Sequence, residues 1–399
     1  MIVARNSQPG HRLANAATVC LLCLACGSQT PSGTGSAGSA GSIGGTGAGG
    51  AGAGPGGAPS GGGGSGAPAG SGAGGTLAGG AAGSDASSGS AGAGTAGASS
   101  GGTNGSAGSA GAGGAAEGPV TPTLSGTNTY RFTFGDTILE VDTQTGARVS
   151  KLSLSGADMI VTKASDPTTW GSVFWTSPRL GTWMPEWPPP VNIDNGPYTP
   201  TISGTHLLTT GTADTALGVA MAKDYAADAA SGWITINYTI NANKAQKAAP
   251  WEVSRVPRGG ITFFPYDSSV TPGPLTVTKS AGIVWFDDSS KTAKDPGDGS
   301  KLVADGMGGW EAYALGGNLF LKRFADQPAS AQVPNEGEIC VYPGATWIEF
   351  EVQGPYTQIP AGGSLPWKMQ WRLVKIPAAV TVAVGSATLL AFAQQQVAL

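Results

Sequence analysis

Residues 346–353 read Thr346-Trp-Ile-Glu-Phe-Glu-Val-Gln353, with Ile348, Phe350 and Val352 alternating against Trp347, Glu349, Glu351 and Gln353. A period of two marks a β-strand, because successive side chains leave opposite faces of the backbone. The same period recurs in Trp233-Ile-Thr-Ile-Asn-Tyr-Thr-Ile240, where Ile234, Ile236, Tyr238 and Ile240 form the apolar face. It predicts further strands at 130–134, 148–153, 217–225, 261–264, 275–279, 283–286, 318–324 and 367–376, separated by turns rich in Gly, Pro and Asn. Helical patterning is scarce, and 387–396 is the one helix expected, closing the chain. Many strands and little helix imply an all-β fold of two broad sheets packed face to face.

N-terminal to this region the composition changes. Residues 27–118 hold no aromatic side chain, no Lys and no Arg, and Asp85 and Glu117 are their only charges. Such a Gly/Ala/Ser-rich segment cannot bury enough apolar surface to offset its ordering entropy, so a disordered linker is expected at 27–118. A Gly-rich coil of this length has a root-mean-square span of about 50–60 Å. Residues 1–26 read as a secretory leader: Arg5, His11 and Arg12 precede a short apolar stretch at 13–24, too short to cross a membrane. The leader ends in Cys23-Leu24-Ala25-Cys26-Gly27, which resembles a bacterial lipobox. That resemblance implies lipidation of Cys26, a membrane partner through an N-terminal lipid anchor, and an outer-membrane location in the cell envelope; ordinary secretion with cleavage near the same point is the alternative reading of the leader. The expected organisation is therefore leader 1–26, linker 27–118 and β-sandwich domain 119–399.

All 11 Trp, 8 Tyr and 10 Phe fall in 119–399. The chain carries a formal net charge of −4 and no basic stripe, so nucleic acid is not an expected partner. Cys340 is the one Cys of the domain, which excludes a disulfide within it. His206 is its one His, and no ligand spacing such as CxxC or HExxH occurs, so neither a metal nor a cofactor is expected. His206 itself reads as structural or exposed. Asp295-Pro-Gly-Asp298-Gly lacks the alternating oxygen ligands of a calcium loop and reads as a turn. The domain is expected to act as a monomer.

Two stretches suggest chemistry. Residues 170–190 carry Trp170, Trp175, Trp183 and Trp187 interleaved with Pro, which predicts a rigid loop rather than a helix or central strand. Trp side chains on such a loop offer flat apolar platforms with a polar N–H, suited to the C–H faces and hydroxyl rim of a sugar; the same residues could equally pack inward as a satellite core. The polar face of 346–353 is either solvated surface or a sugar-binding cleft.

Several stretches resemble the galactose mutarotase-like (aldose 1-epimerase-like) superfamily. Gly146-Ala-Arg-Val-Ser-Lys-Leu-Ser-Leu-Ser-Gly156 is similar to its opening strand pair. Gly171-Ser-Val-Phe-Trp-Thr-Ser-Pro-Arg179, Trp187-Pro-Pro-Pro190 and Gly196-Pro-Tyr198 resemble its bacterial DUF4380-type branch. Tyr238-Thr-Ile-Asn-Ala-Asn243, Pro250-Trp-Glu-Val-Ser-Arg255, Glu349-Phe-Glu-Val-Gln-Gly-Pro-Tyr356 and Pro360-Ala-Gly-Gly-Ser-Leu-Pro-Trp367 extend the likeness over most of 130–376. The resemblance implies a β-supersandwich with a carbohydrate-sized groove on one sheet.

In the epimerases a His acts as general acid and a Glu as general base, a division that needs two proton-transfer groups of staggered pKa. The stretch matching the family's His, 250–264, holds no His; Glu252, Arg255 and Arg258 are its charged residues. The resemblance places the late-strand Glu at Glu351 or Glu349 and the first Arg of the cleft at Arg179. Three functions follow as expectations. The first is capture of a sugar or glycan by Arg179, Trp175, Trp183, Trp187, Trp251, Trp347 and Glu349. The second is a sugar-active enzyme, an epimerase, lyase or hydrolase, using Glu351 with Glu252 or Arg255. The third is a structural envelope protein whose Trp residues are all core.

Overall fold

A computed structural model of the chain describes residues 118–178, 189–292 and 301–399. The leader, Cys26 and the linker lie outside the described residues, as do Arg179, Trp183, Trp187 and the turn expected around Asp295. Two antiparallel sheets pack face to face. The front sheet runs, in spatial order, through Thr129–Phe134, Thr137–Asp142, Arg148–Leu154, Ser172–Ser177, Gln246–Pro257, Trp347–Gln353, Ile339–Pro343 and Leu302–Gly306. The back sheet runs through Tyr198–Ser203, His206–Gly211, Val219–Asp228, Trp233–Ala242, Ser364–Lys375, Asn318–Phe324 and Trp310–Leu315. Ile261–Thr271 belongs to both. Its first half pairs with Trp310–Leu315 and Ile283–Asp287 at the back, its second half with Leu302–Gly306 at the front, and its register shifts between Tyr266 and Val270. A strand that changes sheets through such an irregularity ties the two layers together.

The core between the sheets follows the period of two. Val219–Asp228 alternates buried and half-buried residues along its whole length, and so does most of Trp233–Ala242. The inward rings interlock: Phe174 of the front sheet stacks on Tyr238 of the back at 4.2 Å, and Phe320 of the back meets Phe350 of the front at 5.7 Å. Every strand expected from the pattern is present, and the apolar face of 233–240 is buried. The expected closing helix is present at Ala387–Ala398, capped by Ser386, whose hydroxyl accepts the Leu389 N–H. Leu389 and Ala393, one turn apart, seat it on the outside of the back sheet against Phe263, Trp285, Trp310, Leu319 and Leu321.

The rigid loop expected at 170–190 is corrected in its first part. Ser172–Ser177 is a strand buried on both faces, between Arg148–Leu154 and Gln246–Pro257. Proline excludes ladder pairing only where it sits, and here Pro178 comes just after the strand. Gly171 permits its entry: φ is +73°, and a Cβ there would lie 2.6 Å from the Val149 carbonyl oxygen. Trp170 and Trp175 are accordingly buried.

One polar cluster sits in the apolar interior. Lys322 Nζ lies 2.6 Å from Glu252 Oε2 and 3.2 Å from Glu311 Oε1, and all three side chains are fully buried. Glu252 also accepts from the Ser172 and Ser254 hydroxyls at 2.5 Å each. Burial drives the Glu311 carboxyl well above its ordinary range, against the pull of Lys322 and with the push of Glu252. Burial therefore favours a protonated carboxyl at Glu311 beside one lysine–carboxylate pair. Glu311→Gln, which keeps shape and neutrality, should cost less than about 1 kcal/mol. Lys322→Ala, which strands the Glu252 charge, should cost about 3–5 kcal/mol in chemical denaturation. Equal losses in the two variants would refute this assignment of charge.

Candidate functional site

The outer face of the front sheet is set by strand register. Gln246–Pro257 pairs with Trp347–Gln353 so that Trp251 lies opposite Gln353, Val253 opposite Glu351, Arg255 opposite Glu349 and Pro257 opposite Trp347. Directly opposed residues share a face. On the other side of Gln246–Pro257, Ser172–Ser177 places Trp175 opposite Trp251. Trp175, Trp251, Arg255, Trp347, Glu349 and Glu351 thus meet on one surface. Tyr342, opposite Glu349, and Lys301 join them.

Glu252 does not. It is opposite Val352, whose side chain faces the interior, and so points away from Glu351 into the cluster with Lys322. The expected pairing of Glu252 with Glu351 as acid and base is overturned by this alternation. Arg258, just past the strand, is taken up by a bidentate pair with Asp288, at 2.6 Å for each nitrogen. His206 lies on the back sheet, half-exposed.

Two ion pairs run across the face. Arg255 holds Glu349 Oε1 through Nε at 3.1 Å and Nη2 at 3.0 Å, with its guanidinium 5.5 Å from the Trp175 ring. Glu351 Oε2 accepts from Trp251 Nε1 at 2.8 Å and from Lys301 Nζ at 3.0 Å, while Lys301 lies 5.3 Å over the Trp251 ring. Glu351 Oε1 is buried without a hydrogen-bond partner among the described residues. Trp251, Trp347 and Lys301 are half-buried, so the face is open at its aromatic rim and closed over its carboxylates. The polar face of 346–353 is therefore not solvated surface; only Trp347 of that strand escapes full burial.

Behind these residues Asp194 acts as an anchor. Its Oδ1 accepts from Trp175 Nε1 at 2.9 Å and Arg148 Nη2 at 3.2 Å. It ends the short helix Val191–Asp194, which packs so close to Gly146 that any Cβ there would collide with the Asp194 carbonyl. Sequence reasoning did not single out Asp194, Arg148, Lys301 or Tyr342. They come from separate stretches, and only the pairing of strands brings them to this face.

Burial pushes the Glu349 carboxyl up to about 7; Arg255 pulls it back, and the Glu351 carboxylate adds to the rise. The folded state thus keeps this proton to higher pH than the unfolded chain, whose Glu titrates near 4.5. Its contribution to stability is fully present below about pH 4.5 and is lost as pH rises towards 7. Glu349→Gln should flatten the stability profile across that window by about 1–3 kcal/mol. Denaturation midpoints of both proteins from pH 4 to 8, with parallel profiles, would show that Glu349 does not hold the proton.

No known family model matches the chain, and no curated protein matches it. Among solved structures, a galactose mutarotase-like protein from Lactobacillus casei is similar over 64% of this chain and 100% of its own, at 12% identity and a TM-score of 0.44. Galactose 1-epimerase from Lactobacillus acidophilus is similar over 65% of this chain and 99% of its own, at 11% identity and a TM-score of 0.40. A putative aldose 1-epimerase from Escherichia coli K12 is similar over 61% of this chain and 97% of its own, at 9% identity and a TM-score of 0.41.

Proposed function

We propose that the outer face of the front sheet binds a carbohydrate. The observation that carries this is half-buried Trp251, whose N–H meets Glu351 and whose ring lies under Lys301, beside the Arg255–Glu349 pair, with half-buried Trp347 further along the same face. Indole rings suit the apolar C–H face of a pyranose, and fixed charged donors and acceptors suit its hydroxyl rim. Lys301 is paired with the Glu351 carboxylate, and Arg255 with Glu349, a carboxylate once pH exceeds about 7, so under those conditions a neutral sugar can exchange hydrogen bonds with the pairs without stranding a charge.

A second reading, turnover of the bound sugar, is favoured by one feature. Glu349 and Glu351 stand two residues apart on one strand face, with Cα atoms about 6.6–6.8 Å apart, and Glu349 keeps its proton to about pH 7. One can serve as proton donor and the other as acceptor without the His of the epimerases. Envelope tethering through Cys26 and 27–118 belongs to the same proposal: it would hold the sugar-binding face at a distance from a membrane.

Saturation-transfer and anomer-exchange proton NMR against a panel of aldoses and oligosaccharides tests both readings. Binding should weaken about 5- to 150-fold in Trp251→Ala, given a loss of about 1–3 kcal/mol of ring contact. Unchanged binding there would overturn the site. Accelerated anomer exchange that vanishes in Glu351→Gln, with binding retained, would establish turnover; saturation transfer alone would leave a binding protein.

A further inference from the structure

The C-terminal helix covers only part of the back sheet's outer face. Beyond the helix end lies a cavity of about 350 Å³, on the opposite side of the sandwich from the face described above. Its floor is one cross-strand row, in which His206, Ala226, Thr235, Gln370 and Arg323 stand directly opposite one another on five neighbouring strands. Ala226 and Thr235 are small, so the middle of the row is low while His206 and Arg323 stand at its ends. Asp228, Ser231, Trp233 and Leu399 also line it, and Arg372 stands just outside the lining.

The two arginines near this trough are not paired with carboxylates as the cations of the front face are. The Arg323 guanidinium lies 4.1 Å over the Trp233 ring, and that of Arg372 lies 5.5 Å from the same ring. Arg323 is bound to neutral acceptors, Gln370 Oε1 at 3.1 Å and 3.3 Å and the Val397 carbonyl at 2.6 Å. Arg372 donates to the Gln396 carbonyl at 3.1 Å, and its Nε is buried without an acceptor. No carboxylate of the described residues forms an ion pair with either arginine within 4.0 Å. Burial, and secondly the nearby Arg323, lowers the Arg372 pKa. At the far end, His206 Nδ1 is held by Asp224 Oδ1 at 2.8 Å, which leaves Nε2 as its second hydrogen-bonding nitrogen. One Asp228 oxygen caps the Ala230 N–H, which leaves the other as an acceptor.

We propose that this trough is a second ligand site, taking a hydroxylated carboxylic acid the size of one sugar ring. The carboxylate supplies the anion that Arg323, the arginine lining the trough, lacks, as guanidinium groups bind carboxylates through charge-assisted hydrogen bonds. The hydroxyls meet His206, Thr235 and Asp228. The volume accommodates one such ring.

Titration calorimetry of the full chain with glucuronate, and with glucose as its uncharged counterpart, tests the proposal. Glucuronate should bind saturably and glucose at least about tenfold more weakly, the value of one hydrogen bond to a charged group. Ala226→Leu, which fills the floor without touching either arginine, should abolish glucuronate binding, and Trp251→Ala on the front face should leave it intact. If Ala226→Leu does not fold, His206→Ala, at a half-exposed position, should weaken it several-fold. Absence of glucuronate binding would overturn the site, and so would binding that survives both trough variants. Binding lost only in Trp251→Ala would place the acid on the front face and overturn the trough, while leaving the front-face reading standing.

Discussion

The pairing of Gln246–Pro257 with Trp347–Gln353 is the constraint on which the rest of the molecule turns. These two strands lie at the centre of the front sheet, and their register decides which side chains enter the core and which face outward. A slip of one residue would exchange the two sets. Phe350 and Val352 would leave the interior, and Glu349 and Glu351 would enter it without the partners they have outside. Pairing on both flanks, to Ser172–Ser177 and to Ile339–Pro343, holds that register in place.

The same alternation gives two neighbouring glutamates opposite fates. Glu252 goes inward, where Lys322, Ser172 and Ser254 meet its oxygens and no water reaches. A buried charge in such a place is tolerable only when fully partnered, which makes the cluster a structural element. Glu349 and Glu351 go outward, beneath half-buried indoles. Their pairs with Arg255 and Lys301 border a rim that a ligand can reach, and Glu351 retains an oxygen without a partner among the described residues. Similar residue types thus do different work according to which side of one sheet they occupy.

The outer side of the back sheet is divided by the C-terminal helix. Where Leu389 and Ala393 cover it, the sheet is apolar, as in a core. Where the helix ends, the surface turns polar, and the last carbonyls of the helix are held by Arg323 and Arg372, the arrangement favoured at the negative end of a helix dipole. Those carbonyls use part of each guanidinium and supply no full negative charge, so two arginines without carboxylate partners stand at the boundary of the helix.

Period-two patterning made the all-β class, most of the back-sheet strands and the inward face of 233–240 legible in the amino-acid order. Helical patterning marked the closing helix. Strands buried on both faces, such as Ser172–Ser177 and Ile339–Pro343, lack that alternation and were not legible, because each of their faces is apolar or internally paired. Within 346–353 the order of residues determined that Glu349, Glu351 and Trp347 share a face, since that follows from backbone geometry alone. Whether that face was solvent or site depended on neighbouring strands far away in sequence. Opposing Glu252 to Glu351, or joining Arg255 to Glu349 and Lys301 to Glu351, required the registers between strands. Those registers are fixed by the summed burial of both sheets, so only the tertiary structure decided them.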